Sequence, residues 1–335
     1  DFIKLEGFIH SGRIFEKIYN WSMESPHIWD IFFRVSDNKL CQLYFKISFP
    51  VLYKEIYKIF DKEKPSLCIT THPYWNFIID GYNRNKSEKM KYFSVITDSI
   101  QIHRTWVGSN PDMYIVTDED TKNVIKSYKI PDDKILVTGF PVNPDFAKNI
   151  DRKKILSELG LFPENLTFLF VLGLGNLKNF LWMINYLNDK KPDKFQIVII
   201  TGKYKELYDL LSKKTYKIPA KVIGWTDKMA EFIKSSDLVI SKGGGAIVME
   251  TLSAGKPIFI PVFTPGQERG NAKFILKNGF GFVENDIEKI KEKLDSIIAN
   301  PEKLFEIQTL VAKYSKPFAS QKIAEFIHQY IYDKP

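Results

Sequence analysis

The run Leu238-Val239-Ile240-Ser241-Lys242-Gly243-Gly244-Gly245 is the stretch of this sequence best suited to chemistry. An apolar strand signal ends in three glycines, and Ala246-Ile247-Val248-Met249-Glu250 then starts a helix. Glycines let backbone N–H groups approach a phosphate closely, and a helix amino end adds a positive dipole. No Lys-Ser/Thr follows the glycines, so this is not a P-loop. Either Gly243, Gly244, Gly245 and Ala246 cradle a diphosphate, or they form a strand-to-helix turn without a ligand. Glu250 lies about one and a half helical turns in. It suits a pair of ribose hydroxyls, or is an ordinary helix carboxylate. Downstream, Gln267, Glu268 and Asn271 cluster at a loop-to-helix junction, where amides and carboxylates bind sugar hydroxyls. Gly173 and Gly175 form a second glycine loop in the same half of the chain.

Proton transfer points elsewhere. His72, Asp98 and His103 stand at the ends of successive strand signals, where they could converge. Removing a proton from an acceptor hydroxyl needs such a base. His10, His27 and His328 read as structural. Asp118-Glu119-Asp120 spells the Asp-x-Asp of metal-dependent sugar transferases, but it opens a helix, where acidic residues cap and match the dipole. The capping reading is preferred. No catalytic metal or cofactor is expected.

These residues need a scaffold. The chain has 335 residues, 44% apolar and 26% charged, enough for about two domains with cores of their own. No apolar run approaches the roughly 20 residues that span a bilayer. Two isolated cysteines, Cys41 and Cys68, make neither a zinc site nor a disulfide framework, which favours a reducing cytoplasmic compartment. The net charge of +8 sits mostly in the second half, as scattered lysines. Anionic headgroups and phosphate-bearing substrates fit it as well as nucleic acid does. Phe2-Ile3-Lys4-Leu5 alternates like a strand already under way, and the chain starts at Asp1 without a methionine, so its natural amino terminus is expected upstream.

Residues 8–60 read as helices dense in aromatics. Short β-rich runs then alternate with helix signals: 66–70, 92–97, 113–116 and 134–138, and again 166–173, 195–201, 220–223, 238–241 and 257–261. Apolar runs separated by helices make parallel sheets with crossover connections. The spacing predicts two Rossmann-like α/β domains, 1–150 and 151–335, with the last helix free to pack back on the first.

Residues 236–283 resemble the donor site of glycosyltransferase family 28. Ser-Lys-(Pro/Gly)-Gly-Gly, a helix with Glu, then Pro-Gly-Gln-Glu and Asn is closest to its monogalactosyldiacylglycerol synthase and processive diacylglycerol glucosyltransferase branch. Thr70-Thr71-His72-Pro73, Val95-Ile96-Thr97-Asp98 with His103 and Thr105-Trp106, and Gly139-Phe140-Pro141-Val142-Asn143-Pro144 resemble motifs of the same branch, with Asn143 in place of its usual Arg. The resemblance implies a GT-B pair of domains facing each other across a cleft, acceptor side first and UDP-sugar side second. It implies that Gly243–Ala246 hold the diphosphate, Glu250 the ribose, and Gln267, Glu268 and Asn271 the hexose. The segment with Trp225 and Thr226 would lie against the uracil, although Trp225 also reads as a core aromatic. The family's glycine-rich loop with a His after its first strand has no counterpart here.

The reading is an inverting hexosyltransferase that uses UDP-galactose or UDP-glucose and a diacylglycerol-like lipid, with no nucleic acid partner. Alternatives are a non-catalytic nucleotide-sugar-binding subunit and a UDP-sugar epimerase. An anionic membrane surface is expected as partner of a peripheral cytoplasmic enzyme, through Phe15, Tyr19, Trp21, Trp29, Phe32, Phe33, Tyr44 and Phe45 among the basic Arg13, Lys17, Arg34, Lys39 and Lys46.

Overall fold

A computed structural model describes residues 35, 37–52, 55–98, 102–173, 177–190, 194–263 and 267–332. Phe2–Leu5 and the aromatic opening up to Arg34 lie outside them. The chain divides into two compact units, one holding residues 1–139, 264–267 and 325–335, the other 140–263 and 268–324.

The first unit carries α1 (Lys39–Leu52), α2 (Glu55–Glu63), β1 (Cys68–Thr70), α3 (Pro73–Asn83), β2 (Tyr92–Val95), β3 (Met113–Val116), α4 (Glu119–Ser127) and β4 (Ile135–Val137). Its strands form one parallel sheet in chain order, with Ile69 opposite Phe93, Ser94 opposite Tyr114 and Ile115 opposite Leu136. Every residue of β2 is buried, as a strand covered on both faces requires. Pro73 begins α3, a position where its missing N–H costs nothing. Asp118 caps α4, its side chain accepting from the Thr121 N–H at 2.7 Å, so the Asp-x-Asp sequence serves the helix.

The second unit carries α5 (Arg152–Glu158), β5 (Leu166–Val171), α6 (Lys178–Asp189), β6 (Phe195–Ile200), α7 (Lys205–Ser212), β7 (Ala220–Ile223), α8 (Met229–Ser235) and β8 (Leu238–Ser241). There follow α9 (Gly245–Ser253), β9 (Ile258–Ile260), α10 (Gln267–Asn278), β10 (Gly281–Val283), α11 (Ile287–Ala299), α12 (Glu302–Tyr314) and α13 (Ala319–Tyr332). The last helix starts in the second unit and ends in the first, where Phe326 and Tyr330 pack on Phe93.

All six strands run parallel in the order β10-β9-β8-β5-β6-β7. Phe168, Phe170, Leu238 and Ile240 pack on one face, and Leu169, Val198, Val239 and Ile200 on the other. This two-sided burial makes the strands read as unbroken apolar runs rather than alternating ones. Gly281 is forced by contact, since a Cβ there would stand 1.9 Å from the Ile258 carbonyl oxygen. The chain runs from β5 outward through β6 and β7, then crosses to β8 on the other side of β5. That reversal puts a topological switch point between β5 and β8, and ligands in such sheets bind beyond the carboxyl ends of the strands that flank it.

Candidate active site

Both strands at the switch point end in the glycines singled out from sequence. β5 runs out to Gly173, and β8 runs into Lys242-Gly243-Gly244 before α9 begins at Gly245. Among the described residues no side chain caps α9, and Gly245 and Ala246 lie in its first turn, where backbone N–H groups have no partner within the helix. The turn is held from behind. The Gly243 N–H donates to the Val262 carbonyl at 3.3 Å, and Asn271 Nδ2 donates to the Gly243 carbonyl at 2.8 Å. A Cβ on Gly243 would lie 3.1 Å from Phe263 Cβ, so this position has little room for a side chain.

Asn271 is 2% exposed, with its amide committed to that carbonyl. Glu268 forms an ion pair with Lys242, Nζ to Oε1 3.5 Å. Glu250 is partly buried on α9, and burial lifts its carboxyl to a pKa of about 6. Among the described residues no cation is paired with it. A desolvated carboxylate of this kind is equipped to take two hydroxyl donors. Trp225 follows β7 and is 62% exposed, so it is not a core aromatic. Thr226 Oγ1 accepts from the Lys228 N–H at 3.0 Å and shapes the turn beside it. A cleft of about 520 Å³ at the ends of β5 and β6 is lined by Gly173, Leu177, Lys203, Tyr204 and Lys205. Gln267 opens α10, while its side chain and the whole of Gly175 lie outside the described residues.

In the first unit, His72 sits at the amino end of α3 and Asp98 three residues beyond β2. Their loops touch, with Thr97 Oγ1 donating to the Thr71 carbonyl at 3.5 Å. Beneath them Asn76, fully buried, bonds Thr70 on β1 and Ser94 on β2, which ties α3 to both strands. His72 packs edge-on against Tyr74 with part of its ring exposed to solvent, and desolvation by the surrounding protein holds its imidazole below the usual pKa, neutral at pH 7.

A 3₁₀ turn, Arg104–Val107, orients the other two groups. Trp106 Nε1 donates to Asp98 Oδ2 at 2.7 Å, with both side chains buried. His103 precedes the turn and caps it, Nδ1 accepting from the Thr105 N–H at 3.3 Å. The same Nδ1 lies 2.8 Å from Thr105 Oγ1, so Thr105 anchors the ring through both its backbone and its hydroxyl. Among the described residues, no group of three or more His, Cys, Asp or Glu side chains is placed to hold a metal.

Two residues at these sites were given no role in the sequence reading. Asn76 stands out only as a lone polar residue inside the apolar run Tyr74-Trp75-Asn76-Phe77-Ile78. Lys242 is masked by the glycines that follow it.

The chain matches two family models: monogalactosyldiacylglycerol (MGDG) synthase over residues 1–142 and the glycosyltransferase family 28 C-terminal domain over 177–327. It is 31% identical to the processive diacylglycerol beta-glucosyltransferase of Staphylococcus epidermidis, covering 79% of this chain and 67% of that one. It is 28% identical to monogalactosyldiacylglycerol synthase 3, chloroplastic, of Arabidopsis thaliana, covering 93% and 70%. Its fold is similar to that of UDP-GlcNAc 2-epimerase from Neisseria meningitidis solved with UDP-GlcNAc, with a TM-score of 0.61 at 21% identity over 82% of this chain and 80% of that one.

Proposed function

This chain belongs to glycosyltransferase family 28, among its diacylglycerol glycosyltransferases, and on that premise we propose that it transfers a hexose from UDP-glucose or UDP-galactose to diacylglycerol with inversion. The observation that carries the reading is the uncapped α9 amino end at the switch point, with Glu250 desolvated on the same helix. Gly243 through Ala246 take the diphosphate, Glu250 the ribose, and Trp225 with Thr226 the uracil. Gln267 and Glu268 take the hexose. Asn271 serves by holding the Gly243 carbonyl, which fixes the turn that the diphosphate meets.

In the reaction the acceptor oxygen attacks the anomeric carbon while its proton passes to the Asp98 carboxylate. The bond from the anomeric carbon to the donor phosphate breaks, and its electron pair stays on the β-phosphate oxygen of UDP. His103, anchored by Thr105, stands with neutral His72 in the loops that receive the acceptor. Developing charge on UDP is met by preoriented N–H groups, the most effective form of such stabilisation.

A lipid acceptor must be reached at a bilayer surface. No described helix is long and apolar enough to cross a membrane. On α1, however, Leu40, Leu43, Tyr44 and Ile47 recur at helical spacing and are exposed, with Lys39 and Lys46 beside them. Phe45 of the same helix turns inward onto Tyr74 and Phe77. The exposed stripe and its lysines suit reversible attachment to anionic headgroups.

The test is incubation of the protein with labelled UDP-glucose or UDP-galactose and diacylglycerol vesicles. Glycolipid formed with release of UDP is the expected result. Conversion of the UDP-sugar without lipid would establish the epimerase reading instead. UDP-sugar binding with no turnover would establish a binding subunit.

A further inference from the structure

Lys242 has no part in the site as read from sequence, yet its surroundings are built around it. A Cβ on Gly173 would lie 3.6 Å from Lys242 Cε, and one on Gly244 would lie 3.5 Å from the same atom. The lysine stem therefore runs between the end of β5 and the amino end of α9, through space that two glycines leave open. Its ammonium reaches Glu268, 3.5 Å away, and the two side chains are 34% and 12% exposed. A cation beside an uncapped helix amino end adds positive charge to a positive dipole. One carboxylate is a partial answer to that sum, and the same carboxylate oxygen lies 3.7 Å from where a Gly244 Cβ would be.

We propose that Lys242 is the cation that receives the departing diphosphate, and that Glu268 holds it only until a donor binds. This rests on the UDP-sugar reading above. When the diphosphate enters between Gly173 and Gly244, the ammonium exchanges the Glu268 carboxylate for phosphate oxygens. Glu268 is thereby released to accept hydrogen bonds from the hexose hydroxyls. Phosphate binding and sugar recognition are thus two halves of one exchange of partners. As the anomeric C–O bond breaks, the electron pair left on the β-phosphate oxygen builds charge beside Nζ, so Lys242 binds the transition state more tightly than the donor. The proton of the acceptor goes to Asp98 as before, and Lys242 keeps its own.

Calorimetric titration with uridine, UMP and UDP tests this on the parent, Lys242→Met, Lys242→Arg and Glu268→Gln. Lys242→Met is expected to weaken UDP binding by about 10-fold or more while uridine binding stays within about twofold. Its turnover falls by about 100-fold, and Lys242→Arg restores a large part of both. Glu268→Gln sets the lysine loose, so UDP binds more tightly than in the parent while hexose transfer falls. That opposite pair of signs is one a merely structural ion pair does not give. Lys242→Met binding UDP like the parent, or losing uridine and UDP affinity in parallel, would overturn the proposal, as would weaker UDP binding by Glu268→Gln. A parent that binds no UDP would instead refute the donor reading beneath it.

Discussion

Asn271 offers the sharpest test of how the donor turn works. Its Nδ2 donates to the Gly243 carbonyl at 2.8 Å in a site that is 2% exposed. Asn271→Ala removes the donor and leaves a buried carbonyl without it, at a cost of about 1–3 kcal/mol. For a folding unit of this size, each kcal/mol lowers the melting temperature by about 2–4 °C. The turn between β8 and α9 also loses its brace, and the ordering then has to be supplied by the ligand. A cost of about 1–2 kcal/mol transferred in this way weakens UDP binding by about 5- to 30-fold. Calorimetry with UDP and with UDP-hexose, beside thermal unfolding, separates this role from direct sugar contact. A brace loses affinity for both ligands alike, because both carry the diphosphate. If Asn271→Ala bound UDP like the parent and lost affinity only for UDP-hexose, the bracing argument would be refuted.

Glu250 carries an opposition between stability and function. Its folded pKa of about 6 lies above the ordinary value of 4.5, so the folded state holds the proton longer and stability falls as pH rises from about 4.5 to 6. Glu250→Gln should therefore raise stability at pH 7.5 by about 1–2 kcal/mol while weakening UDP binding, and an unchanged melting temperature there would count against the desolvation. Trp106→Phe keeps the ring and removes the N–H that Asp98 accepts. The expected result is a kcat about 10-fold lower with the KM for UDP-sugar unchanged, since the carboxylate has lost the donor that orients it. A loss confined to KM would show that the indole does not act through Asp98. Leu43→Glu with Ile47→Glu on α1 should cut sedimentation with anionic vesicles several-fold and leave turnover of a detergent-dispersed acceptor intact. Equal sedimentation of parent and variant would remove α1 from the membrane surface.

The second sheet was legible because its strands are buried on both faces. Phe168-Leu169-Phe170 and Leu238-Val239-Ile240 cannot be mistaken for amphipathic elements. β10, three residues opened by a glycine, carries no such signal and went unread. The glycine turn between β8 and α9 was legible as a strand-to-helix turn, but its brace was not. Asn271 lies 28 positions from Gly243, and nothing in its neighbours reveals that its amide turns back toward the strand end. Trp225 shows the converse limit: an aromatic after a strand reads as core or as platform, and only its exposure decides. The locking of His103 by Thr105 is local in sequence, yet it depends on a 3₁₀ turn that no periodicity announces.

The order of the second sheet also bears on how the chain is made. β5 is central, yet during synthesis only one of its edges gains a partner early, when β6 and then β7 emerge. Its other edge, lined by Phe168, Leu169 and Phe170, waits for β8, whose pairing begins opposite Leu238. From Val171 to Ser241 a ribosome takes roughly 4 to 14 seconds at ordinary elongation rates. For that interval the nascent unit presents an apolar strand with unpaired backbone groups, the template on which chains aggregate. Closing that edge is the step that brings Lys242 beside Gly173. The proposed donor site and the end of the aggregation hazard therefore arrive together, and added UDP should favour soluble product only once residues beyond α9 have emerged.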